Sequence, residues 1–220
     1  MFLQVENLLS AAEVQSISEI ALQAKFVDGK FSNPHNTTKN NLVGDPADAQ
    51  AQKAGQIAHA ALLRNEQVKS FVMPRRVALP ALCRYEPGMH YGPHVDAAFL
   101  PVGPPPLRSD VSCTIFLGDP AASQGGELLV YLGTQTLRFK GPPGSAVFYP
   151  STTVHEVTPV VSGARLVMIT FIESSIPDQM QRDLLYALDE VRALEGLKMD
   201  WHNRTRLSYV ITNLRRMWAR

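Results

Sequence analysis

Two histidines and an aspartate carry the strongest chemical signal in this sequence: His94 and Asp96, one residue apart in GPHVD, and His155 in VHEV. On an extended strand, residues i and i+2 share a face, so His94 and Asp96 can both turn towards one ion. Two imidazoles and one carboxylate on one face of an octahedron leave three positions open. That donor set points to Fe(II) oxygen chemistry, in which the open sites take a bidentate 2-oxo acid and O2. The HxD pattern alone is weak, because such tripeptides arise by chance. Its weight comes from the later histidine and from Arg165, ten residues beyond it.

Arg165 opens the apolar run RLVMITF. A permanent charge is a costly neighbour for a core unless it holds an anion. Its planar fork matches a carboxylate, and a five-carbon diacid chelated through its 2-oxo group presents one at its far end. The alternative is a strand-end arginine exposed beside the turn SGA. His90, in the turn before the ligand strand, and His35, in a polar loop, read as solvated side chains rather than further ligands.

These residues need a scaffold, and the sequence outlines one. From about residue 76 the texture becomes short apolar runs broken by Gly, Pro and Ser: VALPALCRY, GPHVD, VSCTIFL, GELLVYL, TQTLRF, SAVFYP, VHEVTPV and RLVMITF. Many short strands separated by turn chemistry predict a sandwich, barrel or jelly roll, and a double-stranded β-helix fits best. Before them, Ser10 and Glu13 form a capping-box pattern that predicts a helix over about 10–25, and a second helix is expected over about 47–63. The stretch FVDGKFSNPHNTTKNN between them reads as a surface loop rather than a core element. The proline-rich segment 98–109 cannot join a central ladder and is a candidate lid over one end of the barrel.

After Phe171 the pattern turns helical. Ser175 is the expected cap and Pro177 sits in the first turn, with Met180, Leu184, Leu188, Val191 and Leu194 on one face. A second segment carries Leu207, Val210, Ile211, Leu214 and Trp218, with Arg204, Arg206, Arg215 and Arg216 exposed. The expected organisation is an N-terminal helical part over 1–75, a jelly-roll domain over 76–174 and a C-terminal helical extension over 175–220. The last is a helical hairpin that packs on the barrel or on a partner subunit, which leaves room for a homo-oligomer through these helices.

Bulk properties narrow the field. The chain is 45% hydrophobic and 19% charged, an ordinary globular composition. Twenty-one basic against twenty acidic residues give a formal charge of +1, so no global basic field argues for nucleic acid. The N-terminal stretch lacks a basic, apolar leader pattern, and no apolar run approaches about 18 residues, so a cytoplasmic chain without membrane association is expected. Cys83 and Cys113 sit in strand-like runs, where a buried thiol is the usual state.

The sequence resembles the prolyl/lysyl-hydroxylase-like Fe(II)/2-oxoglutarate dioxygenases, particularly the bacterial PKHD-type hydroxylases. The resemblance rests on DGK at 28–30, KNN at 39–41, RYEPGMHYGPHVD at 84–96, RSDVSCTIFL at 108–117, GGELLVY at 125–131 and YPSTTVHEVTPVVSGAR at 149–165. It implies a jelly-roll core, His94, Asp96 and His155 as iron ligands, Arg165 as the 2-oxoglutarate anchor and Tyr85 as a further cosubstrate or substrate contact. It also implies O2 as oxidant, ascorbate as the reductant that keeps iron ferrous, and an association with iron-responsive uptake. The stretch SNPHNTT and the proline-rich insert depart from the family pattern and leave the substrate, a peptide side chain or a small molecule, open. Two other readings compete: a non-oxidative β-barrel metal-binding protein, against which Arg165 argues, and a nucleic-acid demethylase on the same scaffold, against which the near-zero charge argues.

Overall fold

The computed structural model describes residues 1–33 and 36–220, so the reading of His35 lies outside the described residues. Ser10 caps the first helix as its sequence predicts. Its hydroxyl accepts from the Glu13 N–H and the Glu13 carboxylate accepts from the Ser10 N–H, closing the capping box of α1 (Ala11–Gln23). The same carboxylate receives both terminal nitrogens of Arg64 at 2.6 Å, which ties α1 to the end of α2 (Ala49–Arg64). A third helix, α3 (Glu66–Val72), was not expected. Asn65 leaves helical geometry at the end of α2 and caps α3, its side chain accepting from the Val68 N–H at 2.9 Å.

Two antiparallel sheets face each other. The larger runs Leu3–Val5, Ala146–Pro150, Val111–Phe116, Arg165–Ser174, Ala81–Tyr85, Leu42–Gly44 and Phe26–Asp28, with Pro74–Val77 also pairing to Arg165–Ser174. The smaller runs Gln135–Phe139, Leu128–Leu132, His155–Val157, His90–His94 and Lys39–Asn40. Between them lies one core containing Cys83, Tyr85, Leu128, Val130, Tyr149 and Val167. A second core lies on the helix side of the larger sheet, where Ile17, Ala58 and Leu62 meet Leu82, Phe148 and Met168. The larger sheet is thus covered on both faces, which is why Val111–Phe116 and Ala146–Pro150 are buried at every position. Cys83 and Cys113 are both buried and free; burial pushes the Cys83 thiol up to about 11.

Three expectations need correction. The N-terminal region is not only helical: it adds strands to both sheets, and its polar stretch is not a plain surface loop, since Lys39 pairs with Tyr91 of the strand His90–His94 and both Lys39 and Asn41 are buried. Polar composition misled because these side chains face a polar interior. Ser175 does not cap the C-terminal helix. Its hydroxyl donates to the Met73 carbonyl, and Asp178 caps α4 (Gln179–Glu195), leaving Pro177 outside the helix. The apolar stripe of α4 is not its inner face either. Met180, Leu184, Val191 and Leu194 are exposed, while Arg182, Leu185, Tyr186 and Asp189 are buried. The inner charges are matched: Arg182 donates to the carbonyls of Ile176 and Pro177, and Asp189 pairs with Arg192 and with Arg215 of α5 (Trp201–Trp218). Arg215 is accordingly half-buried rather than exposed. Hydrophobic periodicity cannot detect an inner face built from neutralised charges.

The α1–α2 tie gives an acid-stability test. Arg64 is the main cause that holds the Glu13 carboxyl down to about 2. A depressed carboxyl stabilises the fold fully above its unfolded pKa of about 4.3 and loses that contribution as pH falls through its folded value. In urea titrations, Glu13→Gln should cost stability at pH 6, and the gap to wild type should close between about pH 4 and 2. A gap that stays constant through this window would contradict the assignment.

Candidate metal and cosubstrate site

His94 and His155 are direct cross-strand partners, but the next pair along is Val157 with Tyr91, so His90–His94 carries one extra residue in a bulge at Gly92–Pro93. The bulge turns Tyr91 onto the His94 side, where the two rings stack with centroids 3.6 Å apart and planes 12° apart. Asp96 lies beyond the end of the strand rather than within it. It is placed by its own N–H, which donates to the Ser151 carbonyl at 3.3 Å, and by Ser112, whose hydroxyl donates to Asp96 Oδ2 at 2.5 Å. Strand pairing and a serine tether, rather than strand alternation alone, bring His94, Asp96 and His155 together.

The donor atoms of His94, Asp96 and His155 all lie within 4.8 Å of one another, with His155 Nε2 3.7 Å from Asp96 Oδ2. Ligands sharing one ion at bond lengths of roughly 2 Å stand no more than about 4 Å apart, so a small contraction would seat a metal. Each imidazole is aimed by a backbone carbonyl. Nδ1 of His94 meets Gly92 O at 2.8 Å and Nδ1 of His155 meets Thr153 O at 2.9 Å, which places the proton on Nδ1 and leaves Nε2 free to bind. Burial, then the neighbouring His155, pushes His94 down to about 4, so it is neutral and ready for a metal at pH 7. Burial raises the Asp96 carboxyl, against the pull of His155 and Ser112. His90 begins the strand rather than lying in the turn before it, and its Nδ1 lies 3.3 Å from Gly88 O.

Arg165 sits opposite Tyr85 in register, in the strand pair that closes the interior. It is 6% exposed, which excludes an arginine waving into solvent beside the SGA turn. Its guanidinium lies over the rings of Tyr85 and Phe116, at 5.7 and 5.6 Å, and Nε is buried without a hydrogen-bond partner. Burial lowers its pKa, and the ionisable groups that face it, Tyr85, Cys83 and Tyr149, include no carboxylate. Tyr149 connects the two halves of the site: its ring is 5.0 Å from that of His155. Tyr85 is itself buried, which drives its hydroxyl strongly towards the neutral form.

Sequence reasoning missed Tyr91 and Ser112 and did not foresee that Lys39 is buried. Lys39 is 5% exposed, donates to Ser32 Oγ at 2.6 Å and stands 5.0 Å from the Tyr91 ring centre, on which Asn33 also acts through a 3.1 Å bond to the hydroxyl. Two glycines allow this close packing. A Cβ at Gly92 would lie 2.7 Å from Thr38 Oγ1, and one at Gly29 would lie 2.1 Å from Asn41 Oδ1. The signal for Ser112 was present in VSCTIF, where Val111, Cys113 and Ile115 pack towards the helices. The alternate positions, Ser112 and Thr114, are conspicuously polar for a buried strand.

Residues 80–173 match the model of the 2OG-Fe(II) oxygenase superfamily. A PKHD-type hydroxylase from Sphingopyxis alaskensis is 51% identical, the alignment covering 97% of this chain and 98% of the relative. Another from Thermosynechococcus vestitus is 36% identical, covering 100% of this chain and 99% of the relative. Among solved structures, a Pseudomonas putida prolyl-4-hydroxylase matches the fold at a TM-score of 0.55 and 18% identity, covering 79% of this chain and 92% of that one. The fold and the site thus define an Fe(II)- and 2-oxoglutarate-dependent dioxygenase with a jelly-roll core. Within that class, the chain belongs to the PKHD-type hydroxylases.

The serine tether yields a test. Ser112→Ala removes the hydroxyl that orients Asp96 and should weaken Fe(II) binding by about tenfold, with the fold intact by circular dichroism. Unchanged affinity in anaerobic titration would show that Asp96 is positioned by other contacts.

Proposed function

We propose that His94, Asp96 and His155 hold Fe(II), that Arg165 with Tyr85 holds the remote carboxylate of 2-oxoglutarate, and that the enzyme hydroxylates a C–H bond of a peptide side chain or small molecule. The observation that carries this reading is the buried Arg165 without a carboxylate, lining the same interior as the donor triad. Once bound, the metal and cosubstrate supply the redox chemistry: 2-oxoglutarate, O2 and R–H become succinate, CO2 and R–OH.

The chain's own residues bind and orient. The two carbonyl-held imidazoles and the Ser112-held carboxylate fix three donors on one side, leaving the others free for ligands. The guanidinium offers a two-pronged contact to a carboxylate, and the neutral Tyr85 hydroxyl can donate to the same group. Val95 and Val154, next to ligand residues, and Phe99 stand 52%, 43% and 62% exposed and offer an apolar rim to a substrate. A cytoplasmic location is part of the proposal, and ascorbate as reductant and a role beside iron uptake complete it on the strength of the family resemblance. No helix among the described residues is long and apolar enough to cross a membrane.

Iron-loaded protein should form succinate from 2-oxoglutarate, and His155→Ala should abolish it. Arg165→Ala should raise the 2-oxoglutarate requirement by about 30-fold to nearly 1000-fold, the equivalent of losing about 2–4 kcal/mol in a charge-assisted pair, while metal still binds. Unchanged 2-oxoglutarate affinity in this variant would place the anchor elsewhere.

The proline-rich segment forms a small hairpin, Phe99–Leu100 with Leu107–Arg108, that begins just after Asp96. Arg76 holds it, donating to the carbonyls of Val102 at 2.5 Å and Pro106 at 3.3 Å. We propose that it flanks the substrate entrance, as does the 39–41 segment alongside the ligand strand. Shortening the hairpin should reduce substrate turnover far more than substrate-independent succinate formation; equal losses would mark it as a plain connector.

A further inference from the structure

Nine of the twenty large hydrophobic side chains that stand exposed among the described residues lie on the hairpin of α4 and α5 and its turn. The base of the hairpin is anchored, with Leu185, Leu214 and Trp218 packed around Met73 and Ile176. The tip is not: from Glu190 to Arg206, every residue except Gly196 and Met199 is exposed. Helices of this length draw their stability from packing rather than from propensity, so two helices standing off the body are short of a partner.

The outer face of α4 has the form of a packing seam. Met180, Leu184, Ala187, Val191 and Leu194 recur at alternating intervals of four and three, the spacing by which helices interlock in bundles. On α5, Tyr209, Val210 and Met217 are exposed beside Arg206 and Arg216. The two helices differ in charge. Leaving out Arg182, Asp189 and Arg215, which are matched inside the hairpin, α4 presents Arg192 against Asp183, Glu190 and Glu195, a balance of −2, and α5 presents Arg204, Arg206 and Arg216, a balance of +3.

We propose that a second copy of this chain covers the hairpin, with α4 of each copy lying on α5 of the other across a two-fold axis to form a four-helix bundle. Charge complementarity selects this arrangement, since α4 on α4 would oppose acidic flanks and α5 on α5 would oppose arginines. A two-fold axis forms the favourable contact twice. The exposed area is substantial: Trp201 and Tyr209, each 70% exposed, would bury roughly 100–175 Å² apiece when covered, about 70% of what a whole aromatic side chain buries. The other seven exposed side chains add to this towards the about 800 Å² per partner that a specific interface buries. An anionic lipid surface would suit α5 alone, but the acidic α4 beside it would be repelled.

Sedimentation equilibrium of the full-length, iron-loaded protein decides this. Wild type should sediment at twice the 24.2 kDa chain mass. Leu184→Glu/Val191→Glu should give a monomer that keeps its succinate-forming activity per chain. Arg206→Glu/Arg216→Glu, at exposed positions where folding is not at risk, should weaken the dimer by about tenfold or more, an effect that α4-on-α4 pairing would not show. A monomeric wild type at micromolar concentration would overturn the proposal. So would a dimer indifferent to the arginine reversals, or a monomer that co-sediments with phosphatidylserine vesicles.

Discussion

Taking the Arg165 guanidinium out of water beneath two sheets costs several kcal/mol, and the groups that face it, Tyr85, Cys83 and Tyr149, offer no negative charge at neutral pH to offset that cost. The fold tolerates it because the cation lies over aromatic faces, at 5.6–5.7 Å from Phe116 and Tyr85, and because its strand is held on both sides by long ladders, to Val111–Phe116 and to Ala81–Tyr85. A dianionic ligand would complete the charge balance. Binding of the cosubstrate and stabilisation of this interior should then be one event, with ligand affinity adding to folding free energy.

The donor triad depends on the same architecture from the opposite sheet. His94 and His155 face each other because their strands pair directly, and Asp96 joins them through Ser112, which belongs to the larger sheet. The Ser112–Asp96 bond is therefore a link across the barrel as well as an orienting contact. Around it, the 3₁₀ turn Gly29–Ser32 and the strand Lys39–Asn40 clamp Tyr91 against His94, so the N-terminal region supports a donor-triad residue that lies far along the chain.

Much of this was legible in the sequence, for identifiable reasons. The capping box at Ser10, the strand texture after residue 76 and the buried Arg165 follow from local chemistry: a hydroxyl three residues before a carboxylate, turn residues at short spacing, and a charge opening an apolar run. What stayed hidden was relational. Lys39 and Asn41 look like loop residues because their composition is polar, yet both are buried, Lys39 where it pairs with Tyr91 and Asn41 where it packs on Gly29. The inner face of α4 was misassigned because Arg182 and Asp189 are buried with their charges matched, Arg182 by the carbonyls of Ile176 and Pro177 just before the helix and Asp189 by Arg192 and by Arg215 of α5. The bulge that swings Tyr91 beside His94 adds one residue to one strand, which no periodicity reveals.

In the proposed site one interior binds a ferrous ion through His94, Asp96 and His155 and a remote carboxylate through Arg165. Anaerobic titration of the Fe(II)-loaded protein with 2-oxoglutarate and with 2-oxovalerate, which has the same chain length but no remote carboxylate, tests both halves together. The reporter is the visible charge-transfer band that appears when a 2-oxo acid chelates ferrous iron. Wild type should bind 2-oxoglutarate about 30-fold or more tightly than 2-oxovalerate, Arg165→Ala should bind the two alike, and His155→Ala should show no band with either. Equal affinities in wild type, or a preference that survives Arg165→Ala, would contradict the account.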